Sequence, residues 1–152
     1  MNLLTEMPPK DFEAQACVRI LVVDDNKALR DAVGRLVKSV PGLEVCGEAE
    51  NGREAIQKTI DLQPHVVLMD IAMPDINGLE ATRELRRVAP RAEVLVFTEH
   101  ESRQAMQAAM DAGARGYLAK TQASLLVEAV RTVARHRPYS SLARAIGAPG
   151  SI

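Results

Sequence analysis

The chain has 152 residues, the length of one ordinary domain, and 47% of them are hydrophobic while 26% are charged. This composition is typical of a globular protein and excludes a fibrous or disordered chain. With 19 Lys and Arg against 20 Asp and Glu, the net charge of −1 gives no support to a generic nucleic-acid binder. No hydrophobic run approaches the roughly 20 residues of a membrane span, and residues 1–16 do not have the pattern of a secretory signal. We therefore expect a cytoplasmic protein without a membrane partner.

Cysteine and histidine are sparse. The two cysteines, Cys17 and Cys46, are too few for a disulfide scaffold or a zinc site, and we expect both to be reduced thiols. The histidines His65, His100 and His136 do not have the spacing of metal ligands. The sequence therefore predicts neither a disulfide framework nor a histidine metal site.

Short hydrophobic runs alternate along the chain with amphipathic segments. The runs predict strands at residues 18–24, 43–49, 65–70, 92–98 and 116–120. Hydrophobic residues at helical spacing predict helices at about residues 26–40, 51–62, 77–88, 102–113 and 125–134. Because the strands are hydrophobic on both faces, helices must cover both. The pattern therefore predicts an α/β protein with a doubly wound, five-stranded parallel sheet.

Polar residues follow the predicted strands at the end where such sheets carry their sites. Asp24 and Asp25 end the first strand, Asp70 the third, Thr98 the fourth and Lys120 the fifth. If the first and third strands are neighbours, three carboxylates converge, and their repulsion opposes joint ionisation. A hard cation such as Mg²⁺ or Mn²⁺ would relieve the repulsion, since it prefers oxygen ligands. With the lysine and the threonine, this cluster would suit an incoming phosphoryl group.

Each of these residues also has an ordinary explanation when it is taken alone. Asp25 suits a helix cap, Asp70 a turn, Thr98 a strand and Lys120 a solvated surface. Four strands that all present a suitable group at one end of the sheet are far less expected by chance. We therefore favour a site over four independent structural roles.

Four motifs resemble one known family. They are VDDN at 23–26, MDIAMPDINGLE at 69–80, VFT at 96–98 and GARGYLAK at 113–120. Together with their spacing they resemble the receiver domain of two-component response regulators, over roughly residues 17–136. The resemblance implies a flavodoxin-like (βα)5 fold with strand order 2-1-3-4-5.

The resemblance also implies a role for each acid. Asp70 would be the phosphoacceptor, a carboxylate nucleophile that forms an acyl phosphate. Asp25 would bind Mg²⁺ directly and Asp24 would assist, either directly or through a water. Asp70 and the backbone carbonyl of Ala72 would complete the protein's share of the metal ligands.

Three further positions would bind the phosphoryl group or respond to it. By the same resemblance, Thr98 would hydrogen-bond the phosphoryl oxygens and Lys120 would pair with them. Tyr117 matches an aromatic position that turns inward on activation, so Thr98 and Tyr117 would act together. The alternative for Tyr117 is a half-buried strand residue with its hydroxyl in water.

The sequence departs from the family pattern in three places. Glu99 stands where a small residue is usual, and we favour an orientation in which its carboxylate points into the site and modulates phosphorylation. The alternative is a solvated side chain. Thr121 replaces the proline that commonly follows the lysine. Residues 1–16 are predicted as a polar extension, 17–137 as the receiver and 138–152 as a linker-like tail without the roughly 60 residues of a helix-turn-helix output domain.

These observations predict a phosphorylation-controlled signalling switch rather than a turnover enzyme. A sensor histidine kinase would supply the phosphoryl group, and the face formed by the fourth helix, fifth strand and fifth helix would carry the output or pair two copies of the chain. The chain would be the regulatory part of a transcription regulator, or a stand-alone receiver. Arg131, Arg135, Arg137 and Arg144 favour a helix end and linker over a DNA-binding patch, so we expect no DNA binding by this chain alone.

Two other classes of function stay open. A Mg²⁺-dependent phosphatase resembling the haloacid dehalogenase family needs a second aspartate two residues after the nucleophile, where this chain has Ala72. A receiver-like interaction module that is never phosphorylated is the second alternative, which Glu99 favours. The retained acids, Thr98 and Lys120 count against it.

Overall fold

The computed structural model describes residues 17–141, which form a single parallel sheet of six strands with helices on both faces. The strands are β1 (Val18–Val23), β2 (Leu43–Ala49), β3 (Val66–Met69), β4 (Glu93–Thr98), β5 (Gly116–Ala119) and β6 (Tyr139–Ser140). The helices are α1 (Lys27–Lys38), α2 (Gly52–Leu62), α3 (Gly78–Val88), α4 (Arg103–Ala112) and α5 (Leu126–Ala134), with a 3₁₀ helix at Lys120–Leu125 before α5. The sheet order is β2-β1-β3-β4-β5-β6, which confirms the predicted order of the first five strands.

The alternation of side chains along each strand divides the core into two layers. In β1, Ile20 and Val22 face the layer that α1 and α5 cover, while Leu21 and Val23 face the layer under α2, α3 and α4. Both layers are almost completely closed to solvent. This two-sided burial explains why the strands read as continuous hydrophobic runs.

Short polar side chains begin the helices where the sequence predicts. Asn26, Asn51 and Ser102 each accept a hydrogen bond from the backbone N–H three residues later, and Asn77 accepts from the two amides at 79 and 80. Gly113 ends α4 in the left-handed region, with φ of 110°. The four side-chain caps fix where α1, α2, α3 and α4 start relative to the preceding strand end.

The sixth strand differs from the prediction, which assigns residues 138–152 to a linker-like tail. Tyr139 and Ser140 instead pair in parallel with Gly116 and Tyr117, and Tyr139 packs into the core. A two-residue strand is too short to show any periodicity, so the sequence pattern misses it. The predicted extension at 1–16, and the tail from 142 onward with Arg144, lie outside the described residues.

A buried carboxylate at the amino end of β4 was not predicted as important. Glu93 is only 2% exposed, and its oxygens lie 3.2 Å from Arg115 and 3.6 Å from Arg86. His136 Nδ1 also hydrogen-bonds to it. Burial raises the pKa of Glu93, but the hydrogen bonds from His136 and Arg115 outweigh burial and hold that pKa below its usual range. The cluster joins α3, β4 and the chain that leaves α5.

Two smaller findings concern the cysteines and the membrane. Cys17 and Cys46 are both free thiols, and both are half-buried. Within residues 17–141, every helix is too short or too polar to cross a lipid bilayer. Neither finding adds a site.

Candidate functional site

A cavity of about 210 Å³ opens at the carboxyl ends of the central strands. Its lining contains all the predicted acids together with the predicted threonine and lysine. The lining residues are Asp24, Asp25, Asn26, Asp70, Ala72, Thr98, Glu99, His100 and Lys120. The structure therefore brings together residues that the sequence separates by up to 96 positions.

The pairing of β1 with β3 places the acids side by side. Val23 and Met69 are register partners, and the Asp70 amide donates to the Val23 carbonyl at 3.1 Å. Asp24 Oδ1 accepts from the Asn26 amide at 2.9 Å, which orients this carboxylate at the start of α1. Asp24 and Asp70 are therefore held by the strand ends themselves rather than by mobile loops.

Three carboxylate oxygens, one each from Asp24, Asp25 and Asp70, lie within 4.8 Å of one another. Asp24 and Asp70 are buried, whereas Asp25 is exposed. Burial raises the pKa of Asp70; the Lys120 ammonium opposes this rise, and the charge of Asp24 adds to it. A group of carboxylate oxygens with one open side fits a hard divalent cation that keeps part of its water shell.

Lys120 compensates two of the three acids. Its ammonium lies 2.8 Å from Asp24 Oδ2 and 3.4 Å from Asp70 Oδ2. Burial lowers the pKa of Lys120, but the hydrogen bond to Asp24 and the charge of Asp70 outweigh burial and raise that pKa above its usual range. The lysine is therefore a firmly protonated cation directly beside the predicted phosphoacceptor.

The predicted switch residues meet on the loop after β4. Thr98 is fully buried, and its Oγ1 accepts from the His100 amide at 3.3 Å. Tyr117 is also fully buried and donates its hydroxyl proton to the His100 carbonyl. The structure thus shows an inward tyrosine and not the half-buried ring with a hydrated hydroxyl. One residue, His100, connects the two side chains.

Glu99 and Thr121, the two residues expected to depart from the family pattern, lie in different surroundings. Glu99 lines the cavity, but its side chain is exposed to solvent. Thr121 Oγ1 donates to Glu101 Oε2 at 2.9 Å, which joins the loop after β4 to the start of the 3₁₀ helix. The threonine hydroxyl therefore makes a link that a proline at this position would lack.

Two contributors to the site were not predicted. A Cβ on Gly78 would lie 2.1 Å from the Asp70 carbonyl oxygen, so only glycine lets α3 begin this close to the backbone of the predicted phosphoacceptor. The Asn77-Gly78 dipeptide within the MDIAMPDINGLE motif could have indicated this close approach of Gly78 to Asp70. His100 carried no comparable signal, because its contacts use the backbone. Ala72 lines the cavity and donates its amide to Asp70 Oδ1 at 3.4 Å, while the role of its carbonyl stays a prediction.

Comparisons with known proteins agree on one family. A family model for the response regulator receiver domain matches residues 20–131. The response regulator GacA of Pseudomonas protegens is 42% identical over 125 residues, which cover 82% of this chain and 59% of GacA. The chemotaxis protein CheY of Thermotoga maritima is 37% identical over 118 residues, covering 77% of this chain and 98% of CheY.

Solved structures agree as well. A two-component response regulator of the LuxR family from Aurantimonas sp. SI85-9A1 superposes with a TM-score of 0.81 at 34% identity, covering 86% of this chain and 95% of that one. The chain spans somewhat more than half the length of the GacA proteins it matches. Receiver domains of this type act as phosphorylation-controlled switches. By its sequence, its fold and its acidic strand ends, this chain belongs to the response regulator receiver domain family.

Proposed function

We propose that Asp70 accepts a phosphoryl group from a sensor histidine kinase and that the acyl phosphate shifts the conformation of the chain to control an output. One observation carries this proposal: the Asp70 carboxylate lies in an acidic cavity with the Lys120 ammonium 3.4 Å from its Oδ2. A carboxylate, a fixed cation and a buried hydroxyl are the groups that phosphoryl transfer to an aspartate needs.

Asp70 acts as the nucleophile. One of its oxygens bonds to phosphorus while the bond between phosphorus and the donor's imidazole nitrogen breaks, and the imidazole keeps the electron pair. The carboxylate must be ionised to attack, and Lys120 favours the ionised form against the effect of burial. Lys120 and the Thr98 hydroxyl then bind the phosphoryl oxygens, which carry more negative charge than the carboxylate did.

A divalent cation fits the same cavity. Asp24, Asp25, Asp70 and the Ala72 carbonyl would hold Mg²⁺ or Mn²⁺, which neutralises charge on the phosphoryl oxygens. The exposed side of Asp25 leaves room for the ion's remaining waters. The Asn26 amide donates to Asp24 Oδ1 and orients this carboxylate. In the proposed reaction Asp24 is a metal ligand and not the nucleophile.

The wider role rests on the relatives. GacA and the transcriptional regulatory protein DegU of Brevibacillus brevis are longer than the matched segment, which covers 59% and 52% of them. We infer that this receiver is the regulatory part of a cytoplasmic transcription regulator. The α4, β5 and α5 face would carry the output or a homodimer contact, and the chain alone would not bind DNA. A stand-alone receiver is the second candidate.

Incubation with acetyl phosphate and Mg²⁺, followed by intact-mass measurement, tests the proposal. The protein should gain the mass of one phosphoryl group, and Asp70→Asn should gain none, because an amide cannot form the acyl phosphate. Asp75→Asn is the matched control, since it alters an acid on the same loop, and it should label normally. Steady release of phosphate would instead indicate a phosphatase, and no change in mass would indicate an interaction module.

A further inference from the structure

The chain after α5 returns to the sheet as a strap, which we define as residues 138–141. Its Tyr139 and Ser140 extend the sheet beyond β5, in parallel with Gly116 and Tyr117. Tyr139 is 6% exposed and Ser141 is fully buried. The strap is therefore packed on the domain along the edge of β5, which ends at Ala119.

The carboxyl end of the strap lies close to the phosphoacceptor site. Ser141 Oγ accepts from the Ala119 amide at 3.0 Å, in a buried position. Ala119 directly precedes Lys120, whose ammonium contacts both Asp24 and Asp70. One backbone unit therefore separates the strap's contact from the cation that would pair with a phosphoryl group.

A second contact joins the strap to α4. Ser140 Oγ donates to Met106 Sδ at 2.9 Å. Helix α4 begins at the end of the loop in which Thr98 and Tyr117 both bond to His100. If Thr98 moves toward a phosphoryl group, we expect this loop to shift with it. Because the loop leads into α4, the shift would also reach the strap through the contact of Ser140 with Met106.

The amino end of the strap is anchored separately. His136 turns the chain out of α5 with φ of 64°, a left-handed conformation that is uncommon outside glycine, and its ring bonds to the buried Glu93. The Tyr139 amide donates to the Arg115 carbonyl at 3.3 Å. These contacts lie at the opposite end of the sheet from Asp70, so loosening at the carboxyl end need not release the whole strap.

We propose that the strap is the element that transmits the state of Asp70 to the chain beyond residue 141. The inference rests on the proposed function. A phosphoryl group on Asp70 draws Lys120 away from Asp24 and shifts the end of β5, so the Ser141 contact opens while the His136 anchor holds. Because β6 runs parallel to β5, the chain leaves the strap at the same end of the sheet as the phosphoacceptor.

Hydrogen exchange of the Ala119 amide, followed residue by residue by NMR, tests the proposal. The hydrogen-bond acceptor of this amide is Ser141 Oγ, so its exchange rate reports the strap directly. We expect slow exchange in the unphosphorylated protein and exchange at least about tenfold faster after treatment with acetyl phosphate and Mg²⁺. The Glu93 amide, which donates to the His65 carbonyl at the far end of the sheet, is the internal control and should not change.

Two variants test the Ser141 contact independently of phosphorylation. Ser141→Ala should give fast Ala119 exchange without phosphorylation, and Ser39→Ala, which removes an exposed hydroxyl elsewhere, should not. Unchanged Ala119 exchange in a protein whose mass shows one added phosphoryl group would overturn the coupling and leave the proposed function intact. Failure to take up the phosphoryl group would overturn the proposed function and the coupling with it.

Discussion

The ammonium of Lys120 lies 2.8 Å from Asp24 Oδ2 and is closer to that acid than to Asp70, the predicted phosphoacceptor, at 3.4 Å. The lysine is 15% exposed and Asp24 is 3% exposed as side chains. This cation therefore holds two buried carboxylates together, in addition to any role in binding a phosphoryl group.

Replacement of the lysine should be costly to folding for this reason. Lys120→Met leaves Asp24 and Asp70 buried without their cation, and removing one partner of a buried pair costs about 3 kcal/mol of unfolding free energy. Urea unfolding in metal-free buffer measures the loss. Added Mg²⁺ should restore part of the stability, since it supplies positive charge at the same acids.

The control for this variant is Lys27→Met. Lys27 is 74% exposed and pairs with Asp31 one turn along α1, a kind of contact that contributes only about 0.3–0.5 kcal/mol. Equal losses from the two variants would contradict the picture of a buried charge cluster.

The third acid of the cluster should behave in the opposite way. Asp25 is exposed, and Lys120 contacts the other two acids, so Asp25→Ala removes repulsion rather than attraction. We expect the metal-free variant to unfold at a temperature higher by about 3 °C, which corresponds to roughly 1 kcal/mol. Asp61→Ala, which removes an exposed acid on α2, should leave the melting temperature nearly unchanged. A lower melting temperature for Asp25→Ala would count against the cluster.

With Mg²⁺ present, the parent should have a higher melting temperature than Asp25→Ala, the reverse of the order without metal. The parent gains stability from the ion, whereas Asp25→Ala has lost a ligand and gains less. A titration of melting temperature against Mg²⁺ concentration measures this difference. Equal gains would show that Asp25 takes no part in binding the ion.

The convergence of these residues could be predicted from the sequence because each strand end carries a chemical group of its own. Asp24, Asp70, Thr98 and Lys120 directly follow or end hydrophobic runs, and parallel strands bring such ends to one edge of the sheet. Contacts made by backbone atoms carry no such signal. The His100 amide and carbonyl bond to Thr98 and Tyr117, the predicted switch residues, yet any residue type except proline supplies both groups.

The buried Glu93 shows a second kind of feature that the sequence alone does not predict. It is the first residue of a strand, and a charged residue at that position is usually expected to be exposed to solvent. Its partners Arg86, Arg115 and His136 come from three other segments, so only the tertiary fold reveals the cluster. The strand at Tyr139–Ser140 escaped prediction for a related reason, since two residues cannot display a period of two.

Glu93 itself should contribute strongly to stability. Glu93→Gln keeps the shape but removes the charge that Arg115 and Arg86 face, and we expect a loss of about 2 kcal/mol in unfolding free energy at neutral pH. Glu84→Gln is the control, because Glu84 pairs with Arg87 on the exposed face of α3 and should cost little. Similar small losses from both variants would show that the Glu93 cluster is not stabilising.

The contribution of Glu93 should also depend on pH. The folded protein holds the pKa of Glu93 below its usual range, so the folded state releases the proton more readily than the unfolded chain. The stabilisation is therefore complete above the ordinary glutamate pKa of about 4.3 and is lost as the pH falls through the folded value. The difference in stability between parent and Glu93→Gln should shrink across that acidic window, as denaturant unfolding at a series of pH values measures. A difference that stays constant would contradict this assignment.

Glu99 lies directly after Thr98 at the acidic cavity, and its charge should slow phosphorylation. Glu99 lines the acidic cavity and is exposed, so its charge would lie near an incoming phosphate and would be screened by solvent. Two unit charges about 6 Å apart repel by roughly 3 kcal/mol at an effective dielectric of about 20, and solvent screening reduces this to about a third. A barrier of about 1 kcal/mol slows the reaction roughly fivefold.

Glu99→Gln and Glu99→Ala should therefore label with acetyl phosphate about fivefold faster than the parent at low ionic strength, while Glu84→Gln should label at the parental rate. The advantage should shrink as salt is added, because screening weakens the same repulsion in the parent. Equal rates for parent and variants at low salt would leave Glu99 as a solvated surface residue with no influence on the reaction.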